Sequence, residues 1–230
     1  MSPKRLALIP ARSGSKGVAD KNLREVAGRP LLVRALALAR EVDLFDRIHL
    51  STDSEAYAEV ARAAGVEVPF LRSAELASDT AVVADAIAAT LTTFDQQGES
   101  FDTLVLLEPT SPLRTPEIVR EVTLAAEVEG WDAAFTLSRV PRHYHPLKQY
   151  EIDASGEAAF CHPEARPNVN RQELSETFVR NGLCYAVRVA SFLETHSVTG
   201  KRARAFVADG PAISIDTEQD LADVRALIER

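Results

Sequence analysis

The chain is predicted to form an α/β fold with a mostly parallel sheet and helices on both faces. Short apolar runs alternate along it with segments in which leucines and alanines recur at helical spacing. Residues 104–107 are apolar throughout, as expected for a central strand that is buried on both faces. Such alternation favours parallel strands joined by helical crossovers. The 230 residues, 46% of them hydrophobic, suffice for one substantial domain.

Turn and cap residues set the element boundaries in the first half of the chain. Pro30 suits an early helical position, and Ser54 is a typical N-cap residue for a helix that Gly65 ends. We expect, in order, a strand at 6–10, a helix at 30–39, a strand at 47–51, a helix at 54–65 and a strand at 66–71.

The second half follows the same rules. Thr115 followed by Pro116 opens a helix, and Asp220 stands three residues after Thr217, as in a capping arrangement. The expected helices are 80–94, 115–130 and 217–228, and the expected strands are 103–107, 133–137, 182–189 and 212–215.

Residues 139–171 break this alternation. The segment is polar, irregular and rich in proline, histidine and charge. A stretch of that length without clear helices inside a compact domain is more often functional than a plain loop. We expect a small β-rich flap there, used for contact with a second subunit.

Charge and composition exclude several classes of protein. The net charge is −8 and no long basic block is present, which weighs against general nucleic-acid binding. No apolar run approaches the roughly 18 residues that cross a bilayer, and the first residues lack a signal-peptide core. Cys161 and Cys184 form no CxxC pair, so neither a zinc site nor a disulfide framework is indicated. A soluble, cytoplasmic protein is expected.

The loop after the first strand carries the best chemical signal. It reads Pro-Ala-Arg-Ser-Gly-Ser-Lys-Gly at 10–17, and it leaves a parallel strand at its carboxyl end, where ligands of such sheets bind. Small residues let backbone N–H groups approach a phosphate, while Arg12, Lys16 and Lys21 offset its charge. Neither GxxxxGK[ST] nor GxGxxG occurs, so a P-loop ATPase and a dinucleotide-binding enzyme are not indicated. Two readings stay open from chemistry alone: a phosphate site and a flexible basic turn.

The order of motifs resembles the acylneuraminate cytidylyltransferases, the CMP-sialic acid synthetases. The opening Ile-Pro-Ala-Arg-Ser-Gly-Ser-Lys-Gly and the later Pro-Thr-Ser-Pro-Leu-Arg carry much of the resemblance, and the spacing is compatible over nearly the whole chain. The matching segments are 9–17, 21–23, 28–32, 45–46, 51–53, 74–80, 109–114, 145–148, 170–172, 181–182 and 215–218.

The resemblance implies a single cytidylyltransferase domain over residues 1–230, with a Rossmann-like nucleotidyltransferase sheet. It further implies that 139–171 is an insertion for dimerisation and the acceptor site, which makes a homodimer the expected state. The implied reaction is transfer of CMP from CTP to an acidic acceptor. The implied nucleotide-binding residues are Arg12, Ser15, Lys16, Lys21, Asn22 and Arg72, of which Arg12 and Lys21 are also implied to act in catalysis.

Asp216 is the metal ligand that the resemblance implies, and a third catalytic group. A carboxylate at such a place can hold Mg²⁺, which bridges phosphate oxygens. The family commonly reads Asp-Ile-Asp-Thr-Glu, whereas this chain has Ser214 in place of the first acid. One carboxylate is therefore missing, and the number of metal ions stays open. Asp53 is a weaker candidate.

On the acceptor side the resemblance implies roles for Glu108, Lys148, Arg171 and Asn181. Cations suit an acceptor that carries a carboxylate. Relatives usually have glutamine where this chain has Glu108, and a glutamate repels an acidic ligand unless it is protonated or paired. Val83 also replaces a small polar residue common in the family.

These departures leave several functions open. The acceptor could be a nonulosonic acid, such as sialic, legionaminic or pseudaminic acid, or a small phosphonate. A non-catalytic nucleotide-binding homologue and a transferase that uses UTP or GTP are the other hypotheses. The expected chemistry is in-line attack of an acceptor oxygen on the α-phosphorus with release of pyrophosphate. No general base is evident.

Overall fold

The computed structural model describes residues 2–14, 17–168, 170 and 172–229. In its first half the elements are β1 (Arg5–Pro10), β2 (Glu25–Val26), β3 (Arg29–Pro30), α1 (Leu31–Val42), β4 (Arg47–Ser51), α2 (Glu55–Ala63) and α3 (Val83–Gln96). In its second half they are β5 (Thr103–Leu106), α4 (Pro116–Ala126), β6 (Ala133–Arg139), β7 (Tyr150–Ile152), β8 (Ala158–Phe160), β9 (Phe178–Arg188), α5 (Val189–Thr195), β10 (Ala203–Val207) and α6 (Glu218–Ile228).

The described residues form a six-stranded sheet in the order β10-β6-β9-β5-β1-β4. β1 lies parallel to β4 and β5, and β10 lies parallel to β6, whereas β9 runs antiparallel to both β5 and β6. The expected mostly parallel sheet is therefore confirmed, with one reversed strand near its centre.

Both faces of the sheet are buried, as the apolar strands require. Ala7 and Ile9 of β1 join one core cluster with α1, α2 and α4, whereas Leu6 and Leu8 join a second cluster with α3 and α5. A third, smaller cluster packs α6 against the loop that follows β1. This third cluster brings the end of the chain to the first loop, where the predicted phosphate site lies.

The predicted helix caps are confirmed. Ser54 accepts from the Tyr57 backbone N–H at the start of α2, and Thr115 caps α4 with Pro116 in its first turn. Thr217 and Asp220 form a reciprocal capping box on α6.

Two predicted strands are wrong. Residues 66–71 form no strand, because Pro69 lacks an N–H donor and β4 already ends the sheet, although Val66 and Val68 still pack in the core. Residues 212–215 also form no strand, and Ile215 makes a single backbone hydrogen bond to Thr110. The edge strand is β10 instead, whose mostly exposed residues gave no period-two signal.

The described residues of the 139–171 segment are mostly irregular and include one short β-hairpin, whereas a use of this segment as a flap between subunits stays a prediction. β7 and β8 pair antiparallel as a separate two-stranded sheet. None of the helices in the described part of the chain is long and apolar enough to span a membrane.

Candidate active site

A cleft of about 590 Å³ lies beyond the carboxyl ends of β1 and β5. Its walls come from the loop after β1, the start of α3, the segment after β5 and the residues just before α6. The sequence-predicted residues that line it are Arg12, Lys21, Asn22, Arg72, Glu108 and Asp216. Ser15, Lys16 and Arg171 lie outside the described residues. The topology thus brings together groups that are up to 204 positions apart in the chain, from Arg12 to Asp216.

Asp53 fixes the start of the loop after β1. One carboxylate oxygen accepts from the Ser13 N–H at 2.8 Å and the other from the Ser13 hydroxyl at 2.5 Å. Burial opposes ionisation of Asp53, but the hydrogen bonds from Ser13 outweigh it and lower the pKa below its usual value. Asn22 donates to the carbonyl oxygen of Arg12 at 3.2 Å. Asp53 and Asn22 therefore shape this loop from two sides.

Arg12 and Lys21, the described cations that are predicted to bind phosphate, are both paired with carboxylates. Arg12 Nη1 lies 2.9 Å from Asp79 Oδ1, and Lys21 Nζ lies 2.8 Å from Asp216 Oδ1. The Lys21 side chain is only 14% exposed, whereas that of Asp216 is 73% exposed. Lys21 is thus held in place by the fold, while the carboxylate can rotate toward solvent. A bound polyphosphate would exchange these carboxylates for phosphate oxygens.

Arg72 is held rigidly on the same wall. Its guanidinium donates to the Ser51 hydroxyl at 3.2 Å and to the Ser51 carbonyl at 2.5 Å, and its backbone N–H donates to Thr52. Burial lowers the pKa of Arg72, but an arginine stays charged at neutral pH. Its positive charge is therefore held at a fixed position, whereas that of a surface arginine moves with the side chain.

Glu108 follows β5 at the centre of the site. Burial raises the pKa of its carboxyl, and nearby Asp216 adds to this, while Arg114, Lys21 and Arg180 oppose it. Arg114 is buried and donates to the carbonyl oxygens of Glu108 and Gly182. The carboxyl of Glu108 therefore keeps its proton to a higher pH than an ordinary glutamate and can then donate a hydrogen bond.

A second cleft of about 500 Å³ adjoins the first. The two share Val83, Glu108 and Ser214 in their walls. The second cleft extends along β9, where it reaches Arg180 and Asn181. Two ligands, one bound in each cleft, would therefore meet beside Glu108.

Asn181, a predicted acceptor residue, lines the second cleft but its amide is engaged in the sheet. Its Oδ1 accepts from the Thr136 hydroxyl at 2.6 Å and from the Leu183 N–H at 3.2 Å, and its Nδ2 donates to Ser138 at 3.1 Å. These bonds bridge a register shift between β6 and β9. Asn181 therefore holds the bulge that shapes the cleft wall.

Arg180 was missed by sequence reasoning. It is exposed on β9 and lines the second cleft, where it is the one cation among the described lining residues. Its neighbours in sequence belong to a strand that was expected to begin at residue 182, so no motif marked it. The signal available was an arginine directly before the Asn-Gly pair at 181–182.

Lys148 does not line either cleft. It lies in the 139–171 segment beside a separate depression that includes Arg139, Arg142 and His143. Within this single chain the predicted acceptor residues are therefore divided between the second cleft and this segment.

The predicted metal site rests on Asp216 in this chain. Within the described ranges, no three His, Cys, Asp or Glu side chains come together as metal ligands. Ser214 lies in the same cleft, with its hydroxyl 3.5 Å from that of Thr110. Mg²⁺ is commonly bound by one or two carboxylates together with substrate phosphates and water. One exposed carboxylate in the same cleft as Arg12 and Lys21, which are predicted to bind phosphate, fits that mode of binding.

Comparisons with known proteins agree with this geometry. The family model described as "Cytidylyltransferase" matches residues 6–207. The chain is 33% identical over 230 residues to CMP-N,N'-diacetyllegionaminic acid synthase of Legionella pneumophila, covering 97% of this chain and 96% of that protein. It is 31% identical to N-acylneuraminate cytidylyltransferase of Streptococcus agalactiae, covering 96% of this chain but 52% of that longer protein.

Similarity extends to a less identical sequence relative and to a solved structure. Pseudaminic acid cytidylyltransferase of Campylobacter jejuni is 27% identical, with 97% of this chain and 96% of that protein covered. A solved structure of CMP:2-keto-3-deoxy-manno-octonic acid synthetase complexed with CTP superposes with a TM-score of 0.72 at 18% identity, covering 98% of each chain. At that identity the likeness concerns the fold alone.

Proposed function

The chain belongs to the cytidylyltransferase family, and on that premise we propose that it transfers CMP from CTP to a nonulosonic acid and releases pyrophosphate. The observation that carries the proposal is the pair of adjoining clefts. One is lined by Arg12, Lys21 and Arg72, and the other contains Arg180, and they meet at Glu108. Such an arrangement holds a polyphosphate and an acidic acceptor next to each other.

The first cleft supports CTP binding. Lys21 and Arg72 are positioned by hydrogen bonds to the backbone, at 2.8 Å to Ile215 O and 2.5 Å to Ser51 O. Groups that are fixed before the ligand binds stabilise charge without reorganising during the reaction. We propose that Arg12 and Lys21 release the carboxylates of Asp79 and Asp216 when CTP binds and contact its phosphates instead. Ser15, Lys16 and Asn22 are proposed to complete the nucleotide site.

In-line transfer needs positioning more than covalent chemistry. An oxygen of the acceptor attacks the α-phosphorus, and the bond to the bridging oxygen of pyrophosphate breaks. Arg12 and Lys21 orient the polyphosphate and offset the charge that gathers on the leaving group. We propose that Asp216 holds Mg²⁺ together with phosphate oxygens, where the ion would supply further charge neutralisation. Glu108 lies beside the acceptor, and burial, which raises the pKa of its carboxyl, reduces its repulsion of the acceptor carboxylate.

Pyrophosphate release with purified protein, CTP and Mg²⁺ tests this function. The acceptor panel comprises sialic, legionaminic and pseudaminic acids and a small phosphonate, and UTP and GTP replace CTP in parallel reactions. We expect turnover with CTP and at least one nonulosonic acid. Turnover with the phosphonate only would overturn the acceptor class, turnover with UTP or GTP only would overturn the nucleotide, and silence throughout would favour a non-catalytic homologue.

A matched pair of arginine variants adds a control. Arg12→Ala should lower kcat/KM for CTP by about 10- to 100-fold, the range for losing a hydrogen bond to a charged group. Arg204→Ala removes an exposed arginine from β10, which lines neither cleft, and should leave kcat/KM unchanged. Equal effects of the two changes would argue that Arg12 does not contact the phosphates.

We also propose a homodimer formed through the 139–171 segment. Tyr144, Tyr150 and Ile152 are 61%, 54% and 73% exposed, and Phe178 lies nearby in sequence with 38% exposed. Several exposed large apolar side chains within a short stretch of chain support an interaction surface. A second copy would cover the hairpin and bring Lys148 toward the partner's acceptor cleft.

Two experiments test the dimer. Ile152→Glu should shift the mass measured by light scattering from dimer to monomer, whereas Leu193→Glu, which changes a 62% exposed leucine of α5, should not. A mixture of Lys148→Ala and Arg12→Ala subunits should be more active than either variant alone, because one site of the mixed dimer is then intact. A monomeric wild type would contradict the proposal.

A cytoplasmic location completes the proposal, since CTP is a cytoplasmic metabolite. Cys161 is exposed and Cys184 is buried, and both are free thiols, which suits a reducing compartment. Fractionation of the source cells, with the protein detected by antibody, tests the location.

A further inference from the structure

A separate cavity of about 270 Å³ lies between α1 and the segment that follows β5. Three arginines stand in its walls: Arg29 in β3, Arg34 on α1 and Arg114 shortly before α4. We call this space the arginine cavity. It shares Glu108 and Pro109 with the nucleotide cleft, so the two spaces adjoin across that segment. The proposed transferase reaction does not use it.

The arginines of this cavity lack counterions. Within the described part of the chain, none of the three forms an ion pair with a carboxylate. Arg34 donates to the carbonyl oxygen of Val26 at 3.3 Å. Arg114 donates to two carbonyl oxygens, those of Glu108 and Gly182. A backbone carbonyl accepts a hydrogen bond but carries no net charge, so the positive charges stay unmatched.

Several polar atoms around the arginine cavity are buried and unpaired. Among the described residues, the Nε atoms of Arg34 and Arg114 and the hydroxyl of Ser111 have no hydrogen-bond partner. Arg114 and Ser111 are only 6% and 1% exposed. Burial lowers the pKa of Arg114 to about 10, and burial together with the charge of Arg29 lowers the pKa of Arg34. Both arginines still stay charged at neutral pH, and a buried charge without a partner costs free energy.

The balance of charge in the cavity favours an anion. Glu41 and Glu108 also line it, but Glu41 is exposed at the end of α1. Three arginines against two carboxylates leave a positive balance even when both carboxylates are ionised. Burial raises the pKa of Glu108, which increases that balance. The first turn of α4 lines the same cavity, and a helix N-terminus also favours negative charge.

We propose that the arginine cavity binds a small phosphate-type anion, either inorganic phosphate or the phosphate group of a monoester, independently of the nucleotide cleft. Guanidinium N–H groups match phosphate oxygens, and a tetrahedral anion accepts from several of them at once. Ser111 adds a hydroxyl to the same wall. Sites for drug-sized ligands measure about 300–1,000 Å³, so this smaller cavity suits a small anion better than a nucleotide.

Isothermal titration calorimetry with inorganic phosphate tests the site. Sodium chloride keeps the ionic strength constant, so that general screening does not count as binding. The titration is repeated with saturating CTP and without acceptor, and again with Arg12→Ala, because phosphate could otherwise enter the nucleotide cleft. We expect saturable binding of one phosphate per chain under all three conditions. A parallel titration with glycerol 3-phosphate compares the two sources of the phosphate group, and binding of either supports the proposal.

The cavity has a matched pair of variants on one helix. Arg34→Ala should raise the Kd for phosphate by about tenfold or more, the loss expected for a hydrogen bond to a charged group. Arg40 lies on α1 as well and donates to one backbone carbonyl, that of Ala64 at 2.9 Å, but it does not line the cavity. Arg40→Ala should therefore leave the Kd unchanged.

Exposed Arg29 supplies a second variant if Arg34→Ala fails to fold, which circular dichroism checks, and Arg29→Ala should weaken binding in the same way. Phosphate should also raise the melting temperature of the wild type, since a ligand that binds only the folded state stabilises it, and this rise should shrink in Arg34→Ala.

Three results would overturn the inference. They are the absence of saturable phosphate binding at constant ionic strength, the loss of binding when CTP is saturating, and equal changes of Kd in Arg34→Ala and Arg40→Ala. None of these measurements involves pyrophosphate release, so their failure would leave the proposed function standing.

Discussion

Gly17 and Asp216 approach each other as closely as their backbones allow. A Cβ atom built on Gly17 would lie 2.2 Å from the carbonyl oxygen of Asp216, which is far inside van der Waals contact. The loop after β1 and the segment before α6 are therefore fitted together at a glycine. The same contact region holds Lys21, whose Nζ donates to Ile215 O and to Asp216 Oδ1, both at 2.8 Å.

Gly17→Ala is expected to reduce activity strongly while the protein stays folded. The added methyl group must push the loop and the Asp216 segment apart, and displacements of about 1 Å in an active site can lower rates by about 100-fold. Initial rates of pyrophosphate release and circular dichroism measure the two effects separately.

Gly98→Ala is the matched control for that change. Gly98 has a φ of 80°, and nothing lies within 4 Å of its added Cβ. The substitution carries a backbone strain of about 1 kcal/mol but no clash. It should lower the melting temperature slightly and leave the rate unchanged. A Gly17→Ala enzyme with wild-type kcat/KM would show that the close approach is irrelevant to the site.

Because position 214 carries a serine instead of a carboxylate, an aspartate placed there should raise the affinity for Mg²⁺. Ser214→Asp adds a second carboxylate to the cleft that contains Asp216, and the affinity of such sites rises with the number of charged ligands. We expect the Mg²⁺ concentration for half-maximal rate to fall, whereas the neutral Ser214→Asn should not lower it.

Asp216→Asn should act in the opposite direction. It removes the carboxylate proposed to hold Mg²⁺ and should raise the half-maximal Mg²⁺ concentration by about tenfold or more. Asp223→Asn alters an aspartate of α6 that accepts from Gln219, and it should have no such effect. An unchanged Mg²⁺ dependence in Asp216→Asn would remove Asp216 as a ligand.

Local sequence patterns predicted those parts of the fold that depend on neighbouring residues alone. The caps of α2, α4 and α6 need only nearby residues, and Ser54, Thr115 and Thr217 all perform as their types indicate. The central strand was visible because both of its faces are buried. The sequence pattern predicted strand pairing less well. Val66 and Val68 are buried like strand residues, yet their segment pairs with no neighbouring strand.

The site was predictable as far as its motifs reached. The nucleotide cleft gathers residues of the first loop, which chemistry marks as basic and small. Arg180 escaped because its place depends on the antiparallel insertion of β9 and on the bulge at Asn181, which are properties of the sheet. The pairing of Arg12 with Asp79 was equally invisible, because their 67-residue separation encodes no contact.

The raised pKa of Glu108 predicts that acceptor binding weakens as the pH rises. Burial keeps the carboxyl protonated above the usual value of about 4.3, and ionisation at higher pH would then repel an acidic acceptor. The KM for the acceptor should rise with pH in the wild type and stay flat in Glu108→Gln, which is neutral throughout. A pH profile that is the same in both would contradict this.

The free energy of unfolding should also depend on the ionisation of Glu108. The unfolded carboxyl ionises at about its usual pKa, whereas the folded one resists ionisation, so the wild type loses stability as the pH rises through the raised pKa. Glu108→Gln should therefore gain melting temperature relative to the wild type as the pH rises above the usual glutamate pKa of about 4.3, and the gain should vanish below that pH. Glu59→Gln, which changes an exposed glutamate of α2, is the matched control.

Arg180 offers the sharpest separation of the two clefts. Because it lines only the acceptor cleft, Arg180→Ala should raise the KM for the acceptor by about 10- to 100-fold and leave the KM for CTP unchanged. Arg180→Lys keeps the charge but loses the planar fork that matches a carboxylate, so it should recover only part of the affinity. Full recovery by lysine would mean that charge alone matters, and a rise in the KM for CTP instead would place Arg180 at the nucleotide.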